Sequence, residues 1–353
     1  MGAKMKAFVM KKIGEVGFAE KDIPEPGPND AIIKATHGLV CTSDVHTVNG
    51  AIGERENLTL GHEAIGKIHK LGSEVKGFKE GEMVAINAIT PCYKCDNCLR
   101  GFPSQCTEML GGWKFANIKD GTFAEYFHVN DAMANLARIP AGVAPEAAVY
   151  TVDMMSTGFM GAENGNIPLG GTVAVFALGP VGLMAAVGAK LKGAGLIIGV
   201  DSVPKRLEMA LKMGVDKVIN FKEKDPIKEI MALTDGRGVD SAVECLGAQA
   251  TFESCVKATC PGGTISVAGY FGEGEYVNIP RLEWGVGMSE KVIRTGLCPG
   301  GSVRMNRLMR LLETGKVDPT PLTTHTFKFD EVDKAFELMK TKEDGIIKPL
   351  IVF

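Results

Sequence analysis

Nine cysteines stand in this 353-residue chain, and four of them crowd into one short stretch. Cys92, Cys95, Cys98 and Cys106 form C-x2-C-x2-C-x7-C, with Pro91, Lys94, Asp96, Asn97 and Arg100 around them. Four soft thiolates on one loop suit a closed tetrahedral zinc that offers no open position for catalysis. An iron–sulfur cluster competes, because C-x2-C-x2-C also opens a ferredoxin run; here the fourth cysteine follows seven intervening residues and no proline comes after it. A second set of ligand types is dispersed. Gly61-His62-Glu63-Ala64-Ile65-Gly66, with Gly72 and Val75, gives G-H-E-x2-G-x5-G-x2-V, and Cys41-Thr42-Ser43-Asp44-Val45-His46 lies upstream. Taken alone, His62 and Glu63 read equally as a strand-to-turn segment, and Cys41 as a small buried hydrophobe.

A third pattern suits phosphate. Ala177-Leu178-Gly179-Pro180-Val181-Gly182 is a G-x-G-x-x-G fingerprint with Ala177 in the first glycine position. A strand precedes it and a helix follows, which is the context the fingerprint needs. Gly179 lets the backbone approach a pyrophosphate seated on the helix N-terminus. Asp201 comes 19 residues after Gly182, where a carboxylate accepts the ribose hydroxyls of NAD and repels a 2′-phosphate. Asp201 or Ser202 also reads as a cap for a helix starting at Pro204.

The elements that must position these residues fall into two textures. The first 150 or so residues read as β-rich, with short apolar runs (Met5 to Met10, Ala31 to Ala35, Met83 to Ile86) punctuated by Pro and Gly. From about Gly170 strands alternate with helices: strand Val173 to Leu178, helix Gly182 to Lys192, strand Leu196 to Val200, helix Pro204 to Met213 and strand Lys217 to Asn220. A helix at Asp225 to Leu233 and strands Asp240 to Cys245 and Gly263 to Ala268 follow. That alternation predicts βαβ units and a parallel sheet. A helix at Arg304 to Thr314, an extended piece Thr323 to Phe329, a helix Glu331 to Met339 and a strand Lys348 to Phe353 close the chain. We read a β-rich domain, an inserted doubly wound domain and a C-terminal return to the first.

Composition narrows the function classes. At roughly 150 residues per domain the length suggests two domains, or at most three. Hydrophobic residues at 45% and charged residues at 23% are ordinary for a soluble globular protein. The balance of 39 Lys+Arg against 42 Asp+Glu leaves a charge of -3, which argues against nucleic acid or a membrane surface as partner. No apolar run reaches the roughly 18 residues of a spanning helix. The N-terminal MGAKMKAFVMKKIG carries too short an apolar stretch for a secretory signal. The expected location is the cytoplasm, where clustered cysteines bind metal or do chemistry rather than form disulfides.

Together, the four-cysteine loop, the dispersed ligands and the βαβ block resemble the zinc-dependent medium-chain alcohol dehydrogenases over essentially the whole chain. Within them the chain is most similar to the bacterial and archaeal secondary-alcohol dehydrogenases. The stretches that carry this are CTSDVHTV from Cys41, GHEAIG from Gly61, GGWKF with KDG and EYFHVND between Gly111 and Asp131, VDMMSTGF from Val152, PRLEWGVGM from Pro280 and GLCPGG from Gly296. The resemblance implies a GroES-like barrel catalytic domain, 1–155 and 297–353, around a Rossmann NAD-binding domain, 156–296, with the active site in the cleft. It implies a catalytic zinc on Cys41, His62 and Asp153, with Glu63 as a fourth ligand that exchanges with substrate, beside a structural zinc on the four cysteines. Asp153 alone would read as a helix cap. Two anionic ligands and a neutral imidazole nearly neutralise the ion and leave one position for an alcohol oxygen.

Ser43 and His46 occupy the family's proton-relay positions, and His46 reads otherwise as a solvated surface residue. Ile89, Trp113, Tyr270, Leu297 and Cys298, with Ser43, match positions lining the substrate or cofactor. Cofactor contacts fall on Gly179, Pro180, Val181, Gly182, Asp201, Ser202 and Tyr270. NADPH-using relatives carry Gly-Ser-Arg where this chain has Asp201-Ser202-Val203, and commonly lack the four-cysteine loop. The expectation is a two-zinc, NAD(H)-dependent dehydrogenase of small secondary alcohols and ketones, a homo-tetramer by resemblance. A diol, polyol or acetoin-type dehydrogenase is the alternative within the class. A non-catalytic, zinc-stabilised nucleotide-binding protein is the alternative outside it.

Overall fold

The structure, a computed structural model, describes residues 3–108 and 119–353. Trp113 lies outside the described residues. The chain divides into two compact units, one running up to Ser156 and resuming at Cys298–Phe353, the other Thr157–Leu297.

The first unit is built on a seven-stranded sheet. Its path runs Thr323–Lys328, Lys348–Val352, Ala31–Leu39, Ala64–Leu71, Met83–Ile86, Leu136–Arg138, and Tyr126–Val129 also pairs with Ala31–Leu39. A three-stranded sheet of Glu15–Asp22, Lys4–Lys12 and Leu58–Thr59 accompanies it. The chain's two ends meet here because both carry apolar surface that neither buries alone. Phe8 and Met10 from the N-terminal strand pack with Phe336 and Met339 of the helix Val332–Thr341, and Phe329 stacks on Phe353 with ring centroids 4.4 Å apart. The closing strand pairs antiparallel with Ala31–Leu39, Leu350 facing Leu39 and Ile351 facing Gly38. That register matters for the site.

The second unit is a six-stranded sheet, parallel throughout, in the order Lys217–Asn220, Leu196–Asp201, Thr172–Phe176, Val239–Glu244, Thr259–Val267, Val292–Thr295. By strand number this is 3-2-1-4-5-6, the doubly wound dinucleotide-binding order, with its switch point between Thr172–Phe176 and Val239–Glu244. The mixed α/β class expected from the alternation holds. Three helices of this unit start on proline at the first helical position, Pro180, Pro204 and Pro226, where the missing N–H costs nothing.

The sequence reading went directly from the strand at Asp240 to that at Gly263 and passed over the helix Gln249–Ala258. Phe252, Cys255 and Val256 recur on one buried face of it, and two parallel neighbours need such a crossover. The helix Thr42–Val48 was also missed, and Met154–Asn164 was read only through Asp153 as its cap; both begin directly after a candidate ligand.

Candidate functional site

The four-cysteine loop closes on itself. The sulfurs of Cys92, Cys95, Cys98 and Cys106 all lie within 4.8 Å of one another, and those of Cys95 and Cys106 are 3.7 Å apart. Tetrahedral zinc with metal–sulfur bonds of about 2.3 Å needs sulfurs about 3.8 Å apart, so the loop fits that ion. Backbone N–H groups serve the sulfurs: Lys94 and Cys95 donate to Cys92 Sγ at 3.4 and 3.3 Å, and Cys92 to Cys106 Sγ at 3.3 Å. Such donors favour thiolate. The backbone N–H groups of Cys98 and Thr107 bring the Cys95 thiol down to about 5. The Tyr93 hydroxyl donates to the Gly300 carbonyl at 3.0 Å, tying the loop to the segment that carries Cys298.

Cys41, His62, Glu63 and Asp153 each bring one ligand atom within 4.8 Å of the others. Cys41 and Asp153 directly precede the helices Thr42–Val48 and Met154–Asn164, and His62 and Glu63 sit in the turn before strand Ala64–Leu71. Gly61 makes that turn at φ 86°, and a Cβ there would stand 2.7 Å from the Phe123 ring. His62 Nε2 is 3.4 Å from Asp153 Oδ2, 3.7 Å from Glu63 Oε1 and 3.3 Å from Ser43 Oγ. Its Nδ1 is 3.1 Å from Asp44 Oδ1, the carboxylate–imidazole pairing that orients a metal-binding histidine. Asp44 Oδ2 also accepts the Cys41 N–H at 2.9 Å.

Glu63 is paired with Lys348, Nζ to Oε1 at 2.6 Å, and neither side chain is exposed. Glu63 Oε2 is buried and has no hydrogen-bond partner among the described residues. One thiol, one imidazole and one carboxylate make a three-ligand set that fits zinc, with Glu63, whose second oxygen is buried and unpartnered among the described residues, as the fourth donor. Burial pushes the Cys41 thiol up, but the Lys348 ammonium and His62 outweigh it and bring it to about 7. Burial acts against the Lys348 charge, and Glu63 and Cys41 hold it well above the ordinary lysine value. Burial lowers His62 too, and Asp44 and Asp153 together lift it well above the usual imidazole range.

The other sequence-named residues sort as follows. Ser43 and His46 are both exposed, one turn apart on the helix Thr42–Val48. Ile89 and Cys298 are buried and share one anchor: Asn87 Oδ1 accepts the Ile89 N–H at 2.8 Å and lies 3.6 Å from Cys298 Sγ. Leu297 is half-buried and Tyr270 is exposed, both in the second unit.

At the switch point, Gly179 caps the helix Pro180–Leu191, with Pro180 and Val181 in its first turn. Ala177 takes φ 71°, so the fingerprint's first position keeps its left-handed backbone despite the alanine. A Cβ on Gly182 would stand 1.9 Å from the Ala177 carbonyl oxygen, which leaves only glycine there. Asp201 ends its strand almost fully buried. Its carboxylate accepts N–H groups from Leu178 at 2.7 Å, Ser202 at 2.7 Å and Val203 at 2.9 Å, and Arg206 is 3.6 Å away. The helix beginning at Pro204 is capped by Val203, so neither Asp201 nor Ser202 is its cap.

Residues 27–141 match the family described as alcohol dehydrogenase GroES-like domain, and residues 180–313 match zinc-binding dehydrogenase. The chain is 51% identical over 350 residues to the NADP-dependent isopropanol dehydrogenase of Thermoanaerobacter brockii, covering 99% of both. The chain belongs to the zinc-dependent medium-chain secondary-alcohol dehydrogenases. It is also 49% identical to the NADP-dependent isopropanol dehydrogenase of Entamoeba histolytica, covering 98% of this chain and 95% of that one. Among solved structures, the dehydrogenase is similar to zinc-dependent alcohol dehydrogenase 2 of Streptococcus pneumonia, in its apo form, at a TM-score of 0.90 and 34% identity, covering 99% of this chain and 98% of that one. The family read from CTSDVHTV and GHEAIG is thus borne out over the dehydrogenase's length. Two residues of its site escaped the sequence reading. Asp44 stood inside the quoted CTSDVH, and its only signal was an acid three residues after a candidate ligand. Lys348 had a weaker one, a lone cation heading an apolar closing strand.

Proposed function

We propose that this dehydrogenase interconverts small secondary alcohols and their methyl ketones using NAD(H). The observation that carries the reaction is the convergence of Cys41, His62, Glu63 and Asp153 on one point. Zinc held by these residues supplies a Lewis acid for the substrate oxygen, and the nicotinamide supplies the hydride donor or acceptor. Cys41, Asp153 and Glu63 contribute the negative charge that holds the metal, and Asp44 keeps the imidazole of His62 turned toward it. Ser43, whose hydroxyl lies 3.3 Å from His62 Nε2, takes the proton of the alcohol in this reading, and His46, exposed one turn on, releases it to solvent. The small side chain of Ser43 leaves room for a second carbon substituent on the carbinol. Ile89 and Cys298, both apolar and held through Asn87, offer nothing that a polyol's extra hydroxyls could use.

NAD(H) is favoured by Asp201. A carboxylate at the strand end, without an arginine at Val203, disfavours a 2′-phosphate by about 2 kcal/mol, roughly 30-fold in kcat/KM. Arg206, 3.6 Å away, offsets part of the charge and keeps the preference moderate. The isopropanol-dehydrogenase relatives are named NADP-dependent, so this chain's cofactor is the sharpest point to test. The dehydrogenase works as a homo-oligomer, a tetramer by resemblance, in the cytoplasm, whose reducing conditions suit its thiol ligands.

Initial rates with alcohols and ketones, NAD(H) and NADP(H) side by side, in samples carrying two zinc ions per chain, test this reading. The expected result is NAD(H) ahead of NADP(H), with Asp201→Gly losing most of the preference. Equal efficiency with both cofactors overturns the assignment of NAD. A vicinal diol beating 2-butanol more than tenfold in kcat/KM overturns the assignment of substrate.

A further inference from the structure

We propose that Lys348 is a positioning residue for Glu63: it holds the carboxylate by one oxygen and supplies the charge that lets it stand off the catalytic metal while a substrate oxygen takes its place. This rests on the reading of Cys41, His62, Glu63 and Asp153 as the catalytic zinc site.

The geometry points to it in three ways. First, the pair is sealed. Both side chains are 0% exposed and 2.6 Å apart, so bulk solvent and salt screen neither charge, and a lone buried carboxylate is strongly disfavoured. Second, the carboxylate is only half satisfied. Oε1 meets Lys348 and lies 3.7 Å from His62 Nε2, whereas Oε2 is buried with no hydrogen-bond partner among the described residues, so the carboxylate keeps capacity for a further partner. Third, the charges count out. Cys41 thiolate, Asp153 and Glu63 bring three negative charges to a divalent ion, and Lys348 brings the sum over ion and ligands to zero; the Asp44 carboxylate, paired with the His62 ring, stands outside that sum. With Lys348, Glu63 has a compensating partner whether or not it is on the metal. Without it, leaving the metal would strand a buried anion, and Glu63 would stay bound and close the substrate's position.

The pair is also held rigidly by the backbone, although its members are 285 positions apart. Leu39 N–H donates to the Glu63 carbonyl at 3.0 Å, and Val40 N–H to the Pro349 carbonyl at 3.4 Å. The strand Ala31–Leu39 and the residue after it thus clamp the backbone beside the two charges.

The experiment compares Lys348→Met, Lys348→Arg and Lys348→Met/Glu63→Gln with the unaltered enzyme. It follows the visible spectrum of cobalt(II) placed at the Cys41 site as acetone is added, metal loss to a chelator, and kcat and KM separately. In Lys348→Met the acetone-induced spectral change should vanish, metal loss should slow, and KM for ketone should rise at least tenfold. Lys348→Arg should keep the spectral change. The double variant should regain it, because a neutral amide in place of the Glu63 carboxylate needs no counter-charge. If Lys348→Met fails to fold, the double variant carries the test by the same spectral response. A normal acetone response and KM in Lys348→Met, or a double variant no better than the single, overturns the proposal. An unaltered enzyme whose cobalt spectrum ignores acetone overturns the zinc-site reading beneath it instead.

Discussion

Asp44 sets two ligands with one carboxylate. One oxygen fixes the His62 ring and the other the Cys41 backbone, so its loss frees both at once. Outer partners of this kind are typically worth about 10–100-fold in metal affinity. We expect Asp44→Ala to bind its catalytic zinc weaker by about that factor, measured by chelator competition, with the zinc of the four-cysteine loop unaffected. The same side chains give zinc uptake a pH dependence of definite sign. Zinc must displace the protons that Cys41, at about 7, and the upward-shifted His62 carry. Acid keeps both protonated, so affinity falls as pH falls and rises through and above 7. Chelator competition at pH 6, 7 and 8 should show the weakest binding at pH 6; a flat profile would refute the coupling.

At the scale of elements, the turn into the helix Pro180–Leu191 carries the clearest local conflict. Ala177 adopts φ 71°, a region that costs an L-residue about 1–2 kcal/mol, whereas glycine there gives back about 0.5–1 kcal/mol of unfolded-state entropy. The difference favours glycine. Ala177→Gly should therefore stabilise the protein by roughly 0.5–1 kcal/mol, about 1 °C in Tm, without changing cofactor preference. Thermal unfolding of the variant decides it, and a lower Tm would mean that Ala177 packs in a way its dihedral does not reveal. The helix Gln249–Ala258 teaches the complementary lesson. Its apolar spacing was readable at Phe252, Cys255 and Val256, and the topology of a parallel sheet demanded it.

At the scale of the molecule, the sheet of the second unit ends on an open edge. Val292–Thr295 pairs only with Thr259–Val267 among the described residues. Leu282 and Met288 are 69% and 84% exposed in the segment before it. An unpaired edge with large apolar side chains nearby invites a second copy of the chain, which supports the proposed homo-oligomer. Leu282→Glu with Met288→Glu should shift the species seen by light scattering toward smaller assemblies while each chain keeps its zinc. An unchanged mass would place the oligomer contact elsewhere. Among the described residues no helix is long and apolar enough to cross a membrane.

Much of this protein could be read from its residues in order. The four cysteines sit close enough along the chain that spacing alone brings their sulfurs together, and the alternation from Thr172 onward specifies a parallel sheet because strand and helix periods differ. Pro204 marks a helix start by its own covalent geometry; Pro180 and Pro226 carry the same signal, although the sequence reading began those helices at Gly182 and Asp225. Tertiary structure decided what depends on register and burial. Lys348 reaches Glu63 only through the pairing of the closing strand with Ala31–Leu39. Asp201 turns its carboxylate onto Leu178, Ser202 and Val203, a direction its place after a strand does not dictate. Both outcomes have one cause: a charge taken out of water must find partners, and which ones lie within reach is settled for Lys348 by strands that meet across the length of the chain and for Asp201 by the adjacent strand end and turn.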